Sequence, residues 1–201
     1  IPVFGGNGKV PKDEETAEIW RSVGVPQNRI FYKGVDSNWW PAVKEKDTWT
    51  GPTGPCTEMF YDVSGTVGDI KGIEEFDKAD EEQRIIEVWN DVFMEYEKKE
   101  GAIVGKLKQK NVDTGAGLER LAVVMQNVDS IFETDLFLPI IDKIQKLSAL
   151  KNSKEDPAVR ILADHIRTSV FLIADGVTPS NTDRGYVLRR LIRRAVRFAD
   201  K

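Results

Sequence analysis

One short stretch constrains this chain more than any other: Val112-Asp113-Thr114-Gly115-Ala116-Gly117-Leu118-Glu119-Arg120-Leu121. It reads as a strand end, a pair of glycines, then a helix carrying Glu119 and Arg120 in its first turn. Apolar residues at Leu118, Leu121, Ala122, Met125 and Val128 recur at helical spacing and mark an expected buried face. Gly115 and Gly117 tolerate positive φ and leave no Cβ between the backbone and a ligand. A cationic side chain and a helix N-terminus meeting at one spot suit an anionic nucleotide. A glycine turn leading into an ordinary core helix is the plainer account of the same residues. Two familiar phosphate motifs are excluded. G-x-G-x-x-G lacks its third small residue, because Arg120 stands there, and Gly8-Lys9 has Val3 and Val10 where a P-loop needs Gly and Ser/Thr.

At 201 residues the chain is long enough for one large domain or two small ones. Its net charge of −4 is mild and names no partner. No apolar run is long enough to cross a bilayer, and no secretory pattern opens the chain. Cys56 and His165 are the only residues of their types, so neither an intrachain disulfide nor a Cys/His zinc cluster can form. A reducing, cytoplasmic setting is expected. Beginning at Ile1, in what already reads as strand, the sequence suggests a fragment of something longer. Charge is distributed unevenly. Residues 74 to 100 are dominated by Glu and Asp, whereas 184 to 197 carry Arg184, Arg189, Arg190, Arg193, Arg194 and Arg197 without an acidic residue. Such local basicity suits a phosphate backbone; a solvated helix face is the alternative.

Patterning predicts a strand over Pro2–Phe4, then a helix from Asp13 to Val23 burying Ala17, Ile19, Trp20 and Val23, ended by Gly24. A second strand is expected over Arg29–Val35. Asp36–Cys56 reads as irregular, with Trp39, Trp40 and Trp49 in loops. Thr57–Val63 alternates as a strand, and Ser64–Asp80 reads as a polar, glycine-bearing insertion. Ile85–Tyr96 fits either helix or strand; as a strand it puts Asn90 on an inner face, needing a partner. Helices are expected over Phe132–Leu147, from Asp156-Pro157 to Gly176, and from Tyr186 onward after a turn at Pro179–Gly185. A boundary is expected near Asp129, dividing residues 1–129 from 130–201.

Several separated segments together resemble the alanyl-tRNA synthetases of class II: Asn38-Trp39-Trp40, Gly54-Pro55-Cys56-Thr57-Glu58, Phe60-Tyr61-Asp62, Glu87-Val88-Trp89-Asn90, Val112 to Arg120, Ala163-Asp164-His165-Ile166-Arg167, and Ala174 through Arg194. The resemblance implies an α+β fold: part of a class II antiparallel sheet with flanking helices, then the start of an all-helical tRNA-recognition region. It implies ATP-dependent activation of L-alanine to alanyl-adenylate, with Mg²⁺ bridging phosphates, and transfer to the 3′ end of tRNA(Ala). Carried over residue by residue, Trp40, Asn90 and Asp113 fall on alanine, with Asp113 holding the amino group. Gly115, Gly117 and Arg120 of motif 3 fall on ATP. Glu58 and Asp62 are assigned to nucleotide or metal contact, or to structural hydrogen bonding. Asn181 matches the asparagine that reads the acceptor-stem G·U pair; capping the next helix is its alternative. Arg184, Arg189, Arg190, Arg193, Arg194 and Arg197 are assigned to acceptor-stem phosphates. Cys56 is read as a small packed residue and His165 as a structural, hydrogen-bonded one.

Two departures from the family pattern qualify this. Class II motifs 1 and 2, including the arginine for the α-phosphate, are not found before Ile1, so the isolated chain is expected to be inactive. Pro41–Gly51 is longer than the usual passage from the tryptophan to the G-P-C loop. A non-enzymatic tRNA-binding module and a ligase for another amino acid are the competing expectations.

Overall fold

The computed structural model describes residues 1–42, 47–68, 70–147 and 156–199. The chain divides into two compact units, Ile1–Met125 and Gln126–Lys201.

The first unit is built on two sheets. β1 (Pro2–Phe4) and β2 (Phe31–Lys33) pair in parallel. The connection between them carries α1 (Glu14–Ser22), capped by Asp13, whose carboxylate accepts from the Thr16 amide at 3.0 Å. Ala17 is buried in α1 against Val3 and Ile30, as expected. Ile19 and Val23 are exposed instead: only one edge of the apolar stripe reaches the core.

The second sheet is antiparallel, in the order β3 (Trp39–Trp40), β4 (Gly51–Asp62), β5 (Ile85–Lys99), β6 (Ala102–Ala116). Trp39 and Trp40, expected in a loop, pair with Pro55 and Gly54. Trp39 is buried against Phe4, so its side chain belongs to the core. Residues 43–46 of the Pro41–Gly51 segment lie outside the described residues. The ambiguous Ile85–Tyr96 run is strand, and it extends through a hairpin at Glu100-Gly101 into β6. Both turn residues have positive φ, +46° and +80°, the conformation that a two-residue hairpin turn needs. At Gly101 a Cβ would also lie 1.9 Å from the Asp47 carbonyl oxygen, so no other residue fits. The polar insertion proves to contain α2 (Ile73–Glu81), whose Phe76 and Ala79 pack with Phe31, Val67 and Ile85.

α3 (Leu118–Gln126) follows β6 almost directly. Its buried residue is Val123, whereas Leu118 and Met125 are 60% and 82% exposed, which corrects the expected face.

The second unit is helical: α4 (Leu138–Leu147), α5 (Pro157–Ala174) and α6 (Asp183–Ala199). Phe132–Leu147 is not one helix. A short 3-10 turn at Ile131–Glu133 precedes α4, and Thr134 Oγ1 donates to the Ile131 carbonyl at 2.6 Å to close it. α5 begins as expected, with Pro157 in the first turn and Asp156 as N-cap, its carboxylate accepting from the Ala158 amide at 2.8 Å. Phe137, Ile141, Ile144, Val159, Leu162, Ala163 and Ala195 form the core of this unit. Ile166, Val170 and Ile173 share the apolar spacing of α5 but are exposed.

Candidate active site

Strand pairing decides which residues meet. Glu58 on β4 stands opposite Asn90 on β5, and Asn90 stands opposite Gly115 on β6. Two residues along, Cys56, Val92 and Asp113 form a second row in the same manner. Because side chains alternate across a strand, both rows share one face of the sheet. Asn38 joins them: its Nδ2 donates to the Cys56 carbonyl at 3.2 Å.

The polar groups on this face are not balanced. Asn90 Nδ2 donates to Glu58 Oε1 at 3.4 Å, while Asn90 Oδ1 is buried and has no partner. Asn38 Oδ1 is in the same condition, in a residue with no exposed surface. Leaving a buried acceptor unanswered costs on the order of 1–3 kcal/mol, so each marks a place where a donor is due. Burial, followed by the neighbouring Glu87 carboxylate, pushes the Glu58 carboxyl up to about 7. Burial and then the charge of Glu58 push the Cys56 thiol up to about 12, leaving it a packed, protonated group.

Gly115 and Gly117 do not use the positive φ that glycine allows, and Gly115 lies within β6 rather than in a turn. A Cβ on Gly115 would meet nothing within 4 Å, so the sheet face there is open. At Gly117 a Cβ would lie 3.3 Å from the Arg120 side chain, which folds back over it. Arg120 Nη1 donates to the Glu87 carbonyl at 2.9 Å and to Glu87 Oε2 at 3.1 Å. That clamp holds the guanidinium at the end of β5 while about half of the side chain stays exposed.

The remaining sequence candidates are dispersed. Trp40 sits on β3, three strands from Asp113, a span of about 14 Å at the usual inter-strand spacing. Alternation puts it on the face of Asn38, and its ring lies edge-on to Trp49, 5.5 Å away. Asp62 is absorbed structurally. Its carboxylate accepts from the amides of Ser64, Gly65 and Val67 and from the Ser64 hydroxyl, tying a turn. Asn38, Glu87 and Val92 were not singled out as site residues. Val92 was legible from the alternation of β5. Glu87 was not, because a register shift between Met59 and Phe60 brings it to this place. Among the described residues no three His, Cys, Asp or Glu side chains gather as a metal cage.

The helical unit presents a second candidate surface. Arg189, Arg190, Arg193, Arg194 and Arg197 line one trough of about 400 Å³ with Tyr186 and Phe198. Arg184 is exposed in the first turn of α6 but does not line it. Arg189 Nε donates to the Ser180 carbonyl at 3.0 Å. Ser180 also makes the bonds that fix the preceding turn: its amide donates to the Gly185 carbonyl and its hydroxyl to the Thr182 carbonyl. A Cβ on Gly185 would come within 2.3 Å of Ser180 Oγ, so glycine is required where the turn meets the helix. Asn181 stands exposed at the tip of that turn.

The family described as tRNA synthetases class II (A) matches residues 8–201. An alanine–tRNA ligase of Borrelia hermsii is 44% identical over 206 residues, covering all of this chain and 33% of that protein. One from Rubrobacter xylanophilus is 44% identical across 99% of the chain and 23% of its own length. A third, from Staphylococcus aureus, is 45% identical across 94% and 21%. The chain thus spans between a fifth and a third of the curated relatives it matches. No helix among the described residues is long and apolar enough to cross a membrane. With an antiparallel sheet running into a strand–glycine–helix element, and a family match over nearly its whole length, the chain belongs to the class II (A) tRNA synthetases, the alanyl-tRNA synthetase family.

Proposed function

We propose that this chain supplies the alanine pocket, part of the ATP site and part of the tRNA acceptor-stem surface of a cytoplasmic alanine–tRNA ligase. The observation that carries the reading is the buried, unanswered Asn90 Oδ1. It lies across the strand from Gly115, two residues from Asp113. An ammonium group has three protons to donate and no acceptor. Shared between Asn90 Oδ1 and the Asp113 carboxylate, it satisfies the one and neutralises the other. Val92, opposite Asp113 and buried, floors the pocket, and a small side chain is what such a floor admits. Asn38, bonded to Cys56, ends the row on the β3 side, and Trp40 lies beyond it, opposite Gly54.

Arg120, held by Glu87 above Gly117, is placed to pair with ATP. Gly115 keeps the approach open and Glu58 borders it. Mg²⁺ keeps several waters and takes only one or two carboxylates beside the phosphates, so Glu58, with Glu87 engaged by Arg120, would be its contact from this chain, and the ion would neutralise phosphate charge. In the reaction, an alanine carboxylate oxygen bonds to the α-phosphorus while pyrophosphate leaves. The terminal tRNA hydroxyl then attacks the acyl carbon, loses its proton, and AMP departs. The residues of this chain contribute position and charge rather than covalent chemistry. Asn181, Arg184 and the five trough arginines face the acceptor stem: the amide reads a base edge, and the guanidinium groups hold phosphates.

The test is alanine-dependent ATP–pyrophosphate exchange in the full-length protein carrying this chain. Asn90→Ala and Asp113→Ala each lower the rate by about a hundredfold, the worth of one lost bond to a buried charge. The isolated 201-residue chain gives no exchange. Unchanged exchange in both variants, or a preference for another amino acid over alanine, overturns the reading.

A further inference from the structure

α5 packs on α6, and Val159, Leu162, Ala163 and Ala195 of these two helices share one apolar core, but α5 also buries two polar side chains, Ser169 and His165. His165 is only 6% exposed, yet both ring nitrogens are engaged. Nδ1 lies 2.8 Å from Asp164 Oδ2, and Nε2 lies 3.3 Å from Arg194 Nη1, across the helix pair. A guanidinium only donates, so Nε2 must carry the lone pair; Nδ1 then carries the proton and gives it to Asp164. The two contacts fix the orientation of the imidazole, with its acceptor nitrogen aimed at one arginine. On its other side the Arg194 guanidinium lies over the Phe198 ring, 5.7 Å away.

A leucine would fill position 165 without burying polar atoms. What the histidine provides is an arginine held from two sides in a trough lined by five of them. A flexible cationic side chain loses rotamer freedom when it engages an anion, and fixing it beforehand removes that loss. We infer that His165, locked by Asp164, is a positioning residue that presents Arg194 to an RNA phosphate in this trough. The inference rests on the RNA-binding reading of the trough given above.

The experiment measures binding of a fluorescein-labelled RNA hairpin duplex to the full-length protein by anisotropy, with melting temperature recorded for each variant. His165→Leu removes the acceptor at similar volume and weakens binding about tenfold, one charge-assisted contact's worth. His165→Gln puts an amide oxygen near the position of Nε2 and restores binding to within about twofold. Should His165→Leu fail to fold, Asp164→Ala serves instead, because Asp164 is half exposed. It frees the imidazole and weakens binding about threefold. In an Arg194→Ala background all three substitutions become silent. If the triple variant Arg189→Ala, Arg193→Ala, Arg197→Ala binds as tightly as the parent, the RNA-binding reading itself fails. If the triple variant is weakened but the Leu and Gln variants match each other and Asp164→Ala matches the parent, that reading stands and the positioning role falls.

Discussion

The sheet unit and the helical unit differ in where most of their polar chemistry lies. In residues 1–125 it is buried and incomplete: Asn38 and Asn90 each keep an amide oxygen without a donor, and Glu58 carries its proton to an unusually high pH. Along α6 the charge is mostly exposed and abundant, with arginines repeated along the helix and lining an open trough. A buried vacancy is specific, because only a group of the right shape and donor count fills it. Apart from Arg194, which His165 and Phe198 hold, an exposed row of cations is tolerant, because any phosphate at roughly the right spacing answers it. Pocket and surface should therefore respond differently to mutation, salt and pH.

The largest effect expected is on stability, and it asks whether the two regions are separate bodies. Phe137 is 2% exposed, lies with its ring tilted 5.2 Å from that of Phe132, and sits in a core whose members all lie between residues 131 and 198. The buried clusters of the sheet unit draw only on residues from 1 to 103. Phe137→Ala should cost about 3–5 kcal/mol, falling on α4 to α6 alone. Amide exchange should accelerate across α5 and stay slow in β4 and β5. Equal acceleration in both would break the comparison.

How much of this was legible in the sequence follows the same division. Helices with caps and a one-sided stripe were readable, α5 most clearly, because Asp156 and Pro157 announce its start. The demand of Asn90 for a partner was readable once its run was taken as strand. β6 was not foreseen beyond its end, because nearly every residue of Ala102–Ala116 is exposed and so shows no alternation. α2 was hidden by the glycines and charges around it, though Phe76 and Ala79 anchor it. Apolar spacing marked stripes correctly but not which part the core reaches: Val123 is covered while Leu118 and Met125 are not. Registers with irregularities lie beyond local patterns altogether. The shift that brings Glu87 toward Arg120 depends on pairing between strands distant in sequence.

A smaller effect sharpens the contrast through pH. The Glu58 carboxyl rises from 4.5 to about 7 on folding, chiefly through burial and then through Glu87. A group whose folded pKa is raised binds its proton more tightly in the native state. Its contribution is full below 4.5 and is lost as pH rises through about 7. The urea midpoint of the sheet unit should fall across that window, and Glu58→Gln should flatten the fall. A curve of unchanged steepness in the variant would show that some other group titrates there.

The smallest effect belongs to single arginines in the trough. Arg193 is exposed and shares its helix face with Arg189 and Arg197, one turn away on each side. Such a charge contributes through counterion release rather than through a unique geometry. Arg193→Ala should weaken RNA binding only about two- to fivefold, uniformly across duplex sequences, and lower the slope of log affinity against log salt by about 1. Asn181→Ala, at the tip of the turn before α6, should leave that slope unchanged and reduce preference among base pairs instead. If Arg193→Ala altered sequence preference, or Asn181→Ala altered the salt slope, reading and holding would not be separate tasks on this surface. The tolerance ascribed to the helical unit would then have to give way to the kind of fitted geometry found in the sheet.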